Sequence, residues 1–236
     1  MKYTDFTTIQ IAGEKNACFL HQLCTQSVLH GPVGLTYTGF LNHKGRVLFD
    51  AYLYFPEVSC AWVILPRCQL VAAISHFQYY APFSKVMVTH IDHVWSAGKQ
   101  GLQITNMPYS LSYELYTKSE DDSRVEGYAV EEKIKNSDWC REEILYGIPR
   151  IRFVNAGKFT THMLDFNKLN AVSYTKGCYI GQEITHRAEM RGVNKKGLYR
   201  GYTDEQNALI VHSFPEMIAL YVMAHLNNTA LTRVYA

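Results

Sequence analysis

Cys178 stands between a lysine and a tyrosine in the run KGCYIGQEITHRAEMR, residues 176–191, a setting that favours thiol chemistry. The thiolate is the nucleophile and the metal ligand, and a nearby cation or a helix N-terminus holds a cysteine in that form. Lys176 lies two positions upstream, and residues 181–191 read as a short helix that begins just after the cysteine. Gly177 and Gly181 offer backbone conformations closed to other residues. Gly192 is placed to end the helix as a left-handed cap. Glu183 precedes Arg187 by four positions, the favourable order for an ion pair, and Arg191 extends the same face. Cys178 is therefore expected to alkylate faster than the other five cysteines, with Cys18 and Cys24, read as lying on a buried helix face, and Cys60, beside a core strand, the slow ones.

Other candidate centres carry less. The six cysteines (Cys18, Cys24, Cys60, Cys68, Cys140 and Cys178) include no C-x-x-C pair, so no self-contained cluster or zinc site is expected. Reduced thiols in a cytoplasmic protein without a secretory leader fit this chain better than a disulfide framework. His90 and His93 fall near a strand end, where residues three apart face opposite sides, which argues against metal ligation. Arg187, Arg191, Lys195, Lys196 and Arg200 form the densest cationic run, either a solvated face or a lip for an anionic group. A net charge of +2 gives no broad basic field for nucleic acid or anionic membrane. No apolar run is long enough to span a bilayer, and no Walker loop, dinucleotide fingerprint or G-x-S-x-G is present.

The elements that must position Cys178 read as follows. Residues 6–11 alternate as a strand, Gly13 turns the chain, and a helix is expected over 14–26 with Ala17, Leu20, Leu23 and Cys24 buried. Residues 35–55 are strand-rich, with Asn42, His43, Lys44 and Gly45 as a hairpin turn. Residues 61–65 form another strand, 67–80 a helix with Leu70, Ile74 and Phe77 on one face, and 84–91 a strand again. Residues 96–136 are more polar, with an acidic loop at 120–122. Asn136 or Ser137 is placed to cap a helix running to Tyr146 and ended by Gly147 and Pro149. A late strand falls at 218–223. Strands interleaved with helices give an α+β fold.

The run Lys176, Gly177, Cys178, Tyr179, any residue, Gly181, Gln182, Glu183 and then Arg187 resembles the signature of the YgfZ-type folate-binding proteins. That family is a branch of the superfamily of the glycine-cleavage T-protein, an aminomethyltransferase. The resemblance extends upstream to Ile9, Ile11, Gly13, Phe19, Leu20, Thr25 and Val28. It also includes Lys44-Gly45-Arg46 in the hairpin and Tyr146-Gly147-Ile148-Pro149. The chain departs from the family with His21-Gln22-Leu23 where a Gln-Gly-Gln run is common, and with Thr161-His162 in place of Pro-Gln.

The resemblance implies a GcvT-like folate-binding fold of two intertwined αβ subdomains around a central cleft. These would occupy residues 1–200, with a shortened C-terminal β-barrel-like segment over 201–236. It implies tetrahydrofolate as cofactor, held near Lys176, Gly177, Tyr179, Gly181, Gln182, Glu183 and Arg187, with Cys178 as the reactive residue. The implied role is an accessory one in iron–sulfur cluster assembly or repair and in tRNA modification. Its partners would be assembly factors or client iron–sulfur enzymes, without direct contact to nucleic acid or membrane. One alternative is a folate-dependent one-carbon transferase with Asp50 or Asp92 as the candidate carboxylate. Another is a non-catalytic interaction module.

Overall fold

Residues 2–3, 5–31, 34–93, 95–98, 102–108, 114–117, 138–192, 196–201, 209–214, 218–224 and 232–233 are described by the computed structural model. Its centre is a five-stranded antiparallel sheet in the order β3-β4-β5-β2-β6. These strands are β2 (Phe6–Ala12), β3 (Thr36–Leu41), β4 (Val47–Glu57), β5 (Cys60–Pro66) and β6 (Met87–Ile91). Side chains alternate across a strand, so Phe49, Ala51 and Leu53 of β4 face one core while Asp50 and Tyr52 face the other. The first core also holds helices α1 (Asn16–Leu23) and α2 (Leu70–Ser84) through Phe19, Leu20, Leu23, Ala73 and Phe77. The second is closed by residues from 140 onward, among them Ile144, Ile148, Ile151, Leu164 and Phe166.

The α+β expectation holds, and the 42–45 hairpin, the 61–65 strand and the late strand all appear. Helix α1 is shorter at both ends than the expected 14–26. At its start the Asn16 side-chain amide donates to the carbonyls of Gly13 and Val58, each at 2.7 Å. At its end β3 recruits the chain: Cys24 bridges Phe40, and the amides of Thr25 and Gln26 donate to Gly39 O at 2.9 Å and Thr38 Oγ1 at 3.0 Å. The buried residues of α1 are Asn16, Phe19, Leu20, His21 and Leu23, with Ala17 only half-buried and Cys18 exposed. The reading of Cys18 as buried is thereby corrected. Helix α2 follows a 3-10 turn at Arg67–Gln69 and runs past the expected end at Tyr80. Pro82 sits in its last turn, where it cannot donate the i→i−4 hydrogen bond, and Ala81 still packs inward.

Two smaller antiparallel sheets flank this unit. β1 (Lys2–Tyr3), β7 (Trp95–Gly98) and β8 (Glu114–Thr117) form one, in the order β1-β7-β8. The other joins β9 (Lys196–Gly201), β10 (Leu209–Phe214), β11 (Ile218–Ala224) and β12 (Thr232–Arg233), in the order β10-β11-β9-β12. Helix α3 (Asp138–Leu145) lies against β10 and β11, and α4 (Gln182–Arg191) follows the cysteine run. The expected caps at Asn136 and Ser137 and the acidic loop at 120–122 lie outside the described residues.

His76 of α2 gives the first core a pH dependence. Its ring packs among those of Phe40, Phe49, Phe77 and Tyr80. Its Nε2 is buried with no hydrogen-bond partner among the described residues. Burial pulls its pKa down to about 4. A folded-state pKa below that of the unfolded chain gives stability that is present above pH ~6.5 and is lost as the pH falls toward that lower value. Urea titrations should therefore show a loss of roughly 1 kcal/mol between pH 7 and pH 5.5 assignable to this site. His76→Phe should remove that component of the slope, and an unchanged slope would refute the assignment.

Candidate functional site

Gly45 and Gly181 bring the β3–β4 hairpin and the cysteine run into backbone contact. Asn42 shapes the hairpin by accepting, through Oδ1, the amides of Lys44 at 3.0 Å and Arg46 at 3.1 Å. Gly45 has a φ of 66° and Gly181, the residue before α4, a φ of 78°. A Cβ on Gly181 would stand 2.6 Å from the Asn42 carbonyl oxygen and 3.1 Å from the Gly45 Cα. A Cβ on Gly45 would stand 2.7 Å from the Ile184 Cβ. Two glycines far apart in sequence are thus required for one contact. Gly177 differs: a Cβ there would meet nothing within 4 Å, and its φ is not left-handed. The expected need for backbone freedom holds at Gly181 and not at Gly177.

Between Lys176 and Ile180 the chain forms an arch standing on the C-terminal end of α1. The Lys176 ammonium donates to the carbonyls of His21, of Cys24 at 2.7 Å and of Gln26 at 2.9 Å. The Ile180 amide donates to the Gln22 carbonyl at 3.2 Å. A helix leaves its last carbonyls without intrahelical donors, and a cation there also meets the negative end of the helix dipole. Tyr179 is buried beneath the arch, its ring centroid 4.8 Å from the ammonium. Burial pulls the Lys176 amine below the usual lysine range, with partial opposition from Cys24. Gly177 and Cys178 form the exposed crown.

Helix α4 presents the rest of the run. Gln182 Oε1 accepts the Tyr179 amide at 3.3 Å, and its Nε2 lies 3.4 Å from His186 Nε2. Glu183 and Arg187 form the expected ion pair on an exposed face that Arg191 extends. His162 Nε2 meets Glu189 Oε2 at 2.8 Å, and the rings of Tyr174 and His186 are 5.3 Å apart. The buried hydroxyls of Tyr174 and Tyr179 lie near Glu189 and Thr185 and complete no hydrogen bond among the described residues. Burial pushes both phenols well above the usual tyrosine range.

A second group of polar side chains lies inside the second core. Tyr37 and Tyr52 are cross-strand partners, and Asp50, two residues from Tyr52, shares their face. The turn at Gly147, φ 71°, returns the chain so that Arg150 and Ile151 meet that face. Tyr37 OH donates to Asp50 Oδ2 at 2.8 Å, and the Ile151 amide donates to Asp50 Oδ1 at 2.8 Å. Tyr52 OH donates to Glu143 Oε1 at 2.7 Å. The Arg150 guanidinium pairs with Glu143, lies 3.6 Å from Asp50 and stacks over the rings of Phe6 and Tyr52. Burial raises the Asp50 carboxyl above the usual range, against the pull of Arg150. The sequence reading missed Glu143 and Arg150. The available signal was three polar residues, Tyr37, Asp50 and Tyr52, on one face of apolar strands.

The other candidates are dispersed. Asp92 pairs with Arg67 at 2.9 Å, His90 Nε2 lies 2.8 Å from Thr7 Oγ1, and the His93 ring packs 4.7 Å from that of Trp62. Arg46 donates to the Lys158 carbonyl at 2.7 Å and Arg200 to that of Leu145 at 2.6 Å. Lys195 lies outside the described residues. No group of three or more His, Cys, Asp or Glu side chains suited to a metal ion occurs among the described residues. No helix among them is long and apolar enough to cross a membrane. Cys18 and Cys68 share the exposure of Cys178, while Cys24 and Cys60 are buried and burial pushes the Cys140 thiol up to about 11.

No family model matches the chain. Among curated proteins it is 30% identical over 185 residues to the tRNA-modifying protein YgfZ of Yersinia pseudotuberculosis, covering 66% of this chain and 56% of that protein. It is 22% identical over 227 residues to the tRNA-modifying protein YgfZ of Colwellia psychrerythraea, covering 84% of this chain and 70% of that protein. The chain thus spans a little over half the length of the Yersinia relative. Among solved structures, the glycine cleavage system aminomethyltransferase T of Bartonella henselae aligns with a TM-score of 0.66. That match covers 94% of this chain and 77% of the other at 13% identity, a likeness of fold. By sequence the chain is thus similar to YgfZ proteins, and by fold to a glycine-cleavage aminomethyltransferase T.

Proposed function

We propose that the chain is a tetrahydrofolate-binding accessory protein of the cytoplasm that acts in iron–sulfur cluster assembly or repair, and through it in tRNA modification. Cys178 is its working group. The observation that carries this reading is the arch: an exposed thiol held between an anchored lysine and a glycine wedged against the hairpin. Its partners are assembly factors or client iron–sulfur enzymes, which approach the exposed crown.

Reduced folate presents a flat pterin, an aminobenzoyl ring and a carboxylate tail, and when bound it supplies a one-carbon acceptor. The residues present suit it in kind. Tyr174 and Tyr179 offer aromatic surface and buried hydroxyls without a completed hydrogen bond, and Arg187 and Arg191 offer exposed cations for a carboxylate. Gly177, Gly181, Gln182 and Glu183 border the same segment.

A one-carbon transferase would need a carboxylate available to the substrate amine. Asp50 is enclosed by Tyr37, Ile151 and Arg150, and Asp92 pairs with Arg67, so no observation favours that reading.

Reduced folate should raise the thermal midpoint of the purified protein, because a ligand at 100 times its Kd stabilises the native state by about 2.7 kcal/mol. Absence of both heat and thermal shift at millimolar ligand ends the folate reading. Partial alkylation mapped by mass spectrometry should modify Cys178 no later than Cys18 and Cys68, and well before Cys24, Cys60 and Cys140. Cys178→Ala should fold normally yet fail to restore cluster-dependent activity in cells lacking the native protein. Full complementation would make the thiol structural.

A further inference from the structure

We infer that Lys176 is a positioning residue for Cys178 and does not contact a ligand. This rests on the reading of Cys178 as the working group. An ammonium has three donors and no acceptor. Those of Lys176 are matched by three carbonyls, from His21, Cys24 and Gln26. No donor remains for a carboxylate or a pterin, and the Tyr179 ring covers another side of the cation.

The position of these carbonyls gives the lysine its purpose. They lie at and just beyond the last turn of α1, the stretch where the Gln22 carbonyl also receives the Ile180 amide. Both feet of the arch therefore stand on one rigid helix end, with Gly177 and Cys178 spanning the gap. The next ties on that side lie further upstream, where the Ser173 amide donates to the Thr25 carbonyl at 2.9 Å and Thr25 Oγ1 to the Ala171 carbonyl at 2.6 Å. A Cβ on Gly177 would meet nothing within 4 Å, and Cys178 is exposed. At the far side Gly181 is locked against the hairpin. Lys176 is the only charged side chain of the run 176–180, and its charge faces inward. Without it, the upstream tie retreats to Ser173, and the thiol is displayed from a longer, looser loop.

Arginine is a poor replacement. Its donors are spread over a planar fork, whereas here three carbonyls converge on a single nitrogen.

Hydrogen exchange at the Ile180 amide reads the anchoring directly. Lys176→Met should accelerate that exchange by about tenfold or more, as expected when a local opening loses its charge-assisted bonds. Lys176→Arg should fail to restore protection, and Cys178→Ala should leave it unchanged. Lys176→Gln gives the same comparison should the methionine variant not fold. Unaltered Ile180 protection in the methionine or glutamine variant overturns the inference, as does full protection in the arginine variant.

Complementation reads the consequence. Lys176→Met should fail as Cys178→Ala does, although its thiol still alkylates with a small reagent. If Lys176→Met complements fully where Cys178→Ala fails, the thiol needs no positioning and the inference falls. If Cys178→Ala itself complements, the thiol reading falls, while accelerated exchange in Lys176→Met still establishes the anchor.

Discussion

Arg150→Met is expected to lose about 3–5 kcal/mol of stability, the usual consequence of removing one partner from a buried charged group. Arg150 is buried to 3% exposure between Glu143 and Asp50, and Asp50 is wholly enclosed. The substitution keeps most of the apolar stem but leaves two carboxyl groups without their cation in a low-dielectric interior. The stacking of the guanidinium over Phe6 and Tyr52 is lost as well. Urea denaturation should register this as a large drop in midpoint at unchanged slope. Adding Glu143→Gln to Arg150→Met should cost less than the sum of the two single changes, because each removes the same interaction. A loss below about 1 kcal/mol for Arg150→Met would show that the pair contributes no more than a surface ion pair.

Gly181→Ala and Gly177→Ala should separate widely, although the two glycines lie four positions apart in one motif. At Gly181 the new methyl would be pressed against the Asn42 carbonyl and the Gly45 backbone, and the residue would have to keep a φ of 78°. The left-handed conformation alone costs roughly 1–2 kcal/mol, and backbone atoms cannot swing aside as a side-chain tip can. A total near 3 kcal/mol is expected, which for a chain of this size lowers the thermal midpoint by about 6–12 °C. Gly177→Ala places its methyl in open space and should stay within about 0.5 kcal/mol of the parent. Calorimetry on the two variants decides the point. Equal destabilisation would mean that the hairpin contact does not fix the turn.

Local sequence by itself determined the elements whose signals are short-range. The hairpin at 42–45, the strand at Cys60–Pro66, the start of α4 after Gly181 and its left-handed end at Gly192 follow from turn chemistry and periodicity. The Glu183–Arg187 pair follows from helical spacing alone. The run around Cys178 likewise carries its resemblance to the YgfZ-type signature in local sequence alone.

Tertiary structure decided what depends on residues distant in the chain. Helix α1 stops at Leu23 because β3 captures Cys24, Thr25 and Gln26, a competition that no local propensity encodes. Cys18 faces solvent because that early end and the Asn16 anchor set which stripe of α1 packs. Lys176 looked from sequence like a cation beside a thiol. Only the folded chain brings the end of α1 beneath it, where three carbonyls outcompete any nearer group for its charge. From sequence Asp50 is only a candidate carboxylate and Arg150 carries no reading; the strands and the turn at Gly147 enclose them together, where burial makes their pairing obligatory. Spacing fixes what a few neighbouring residues can do with one another, whereas burial and long-range hydrogen bonds depend on the whole sheet being assembled.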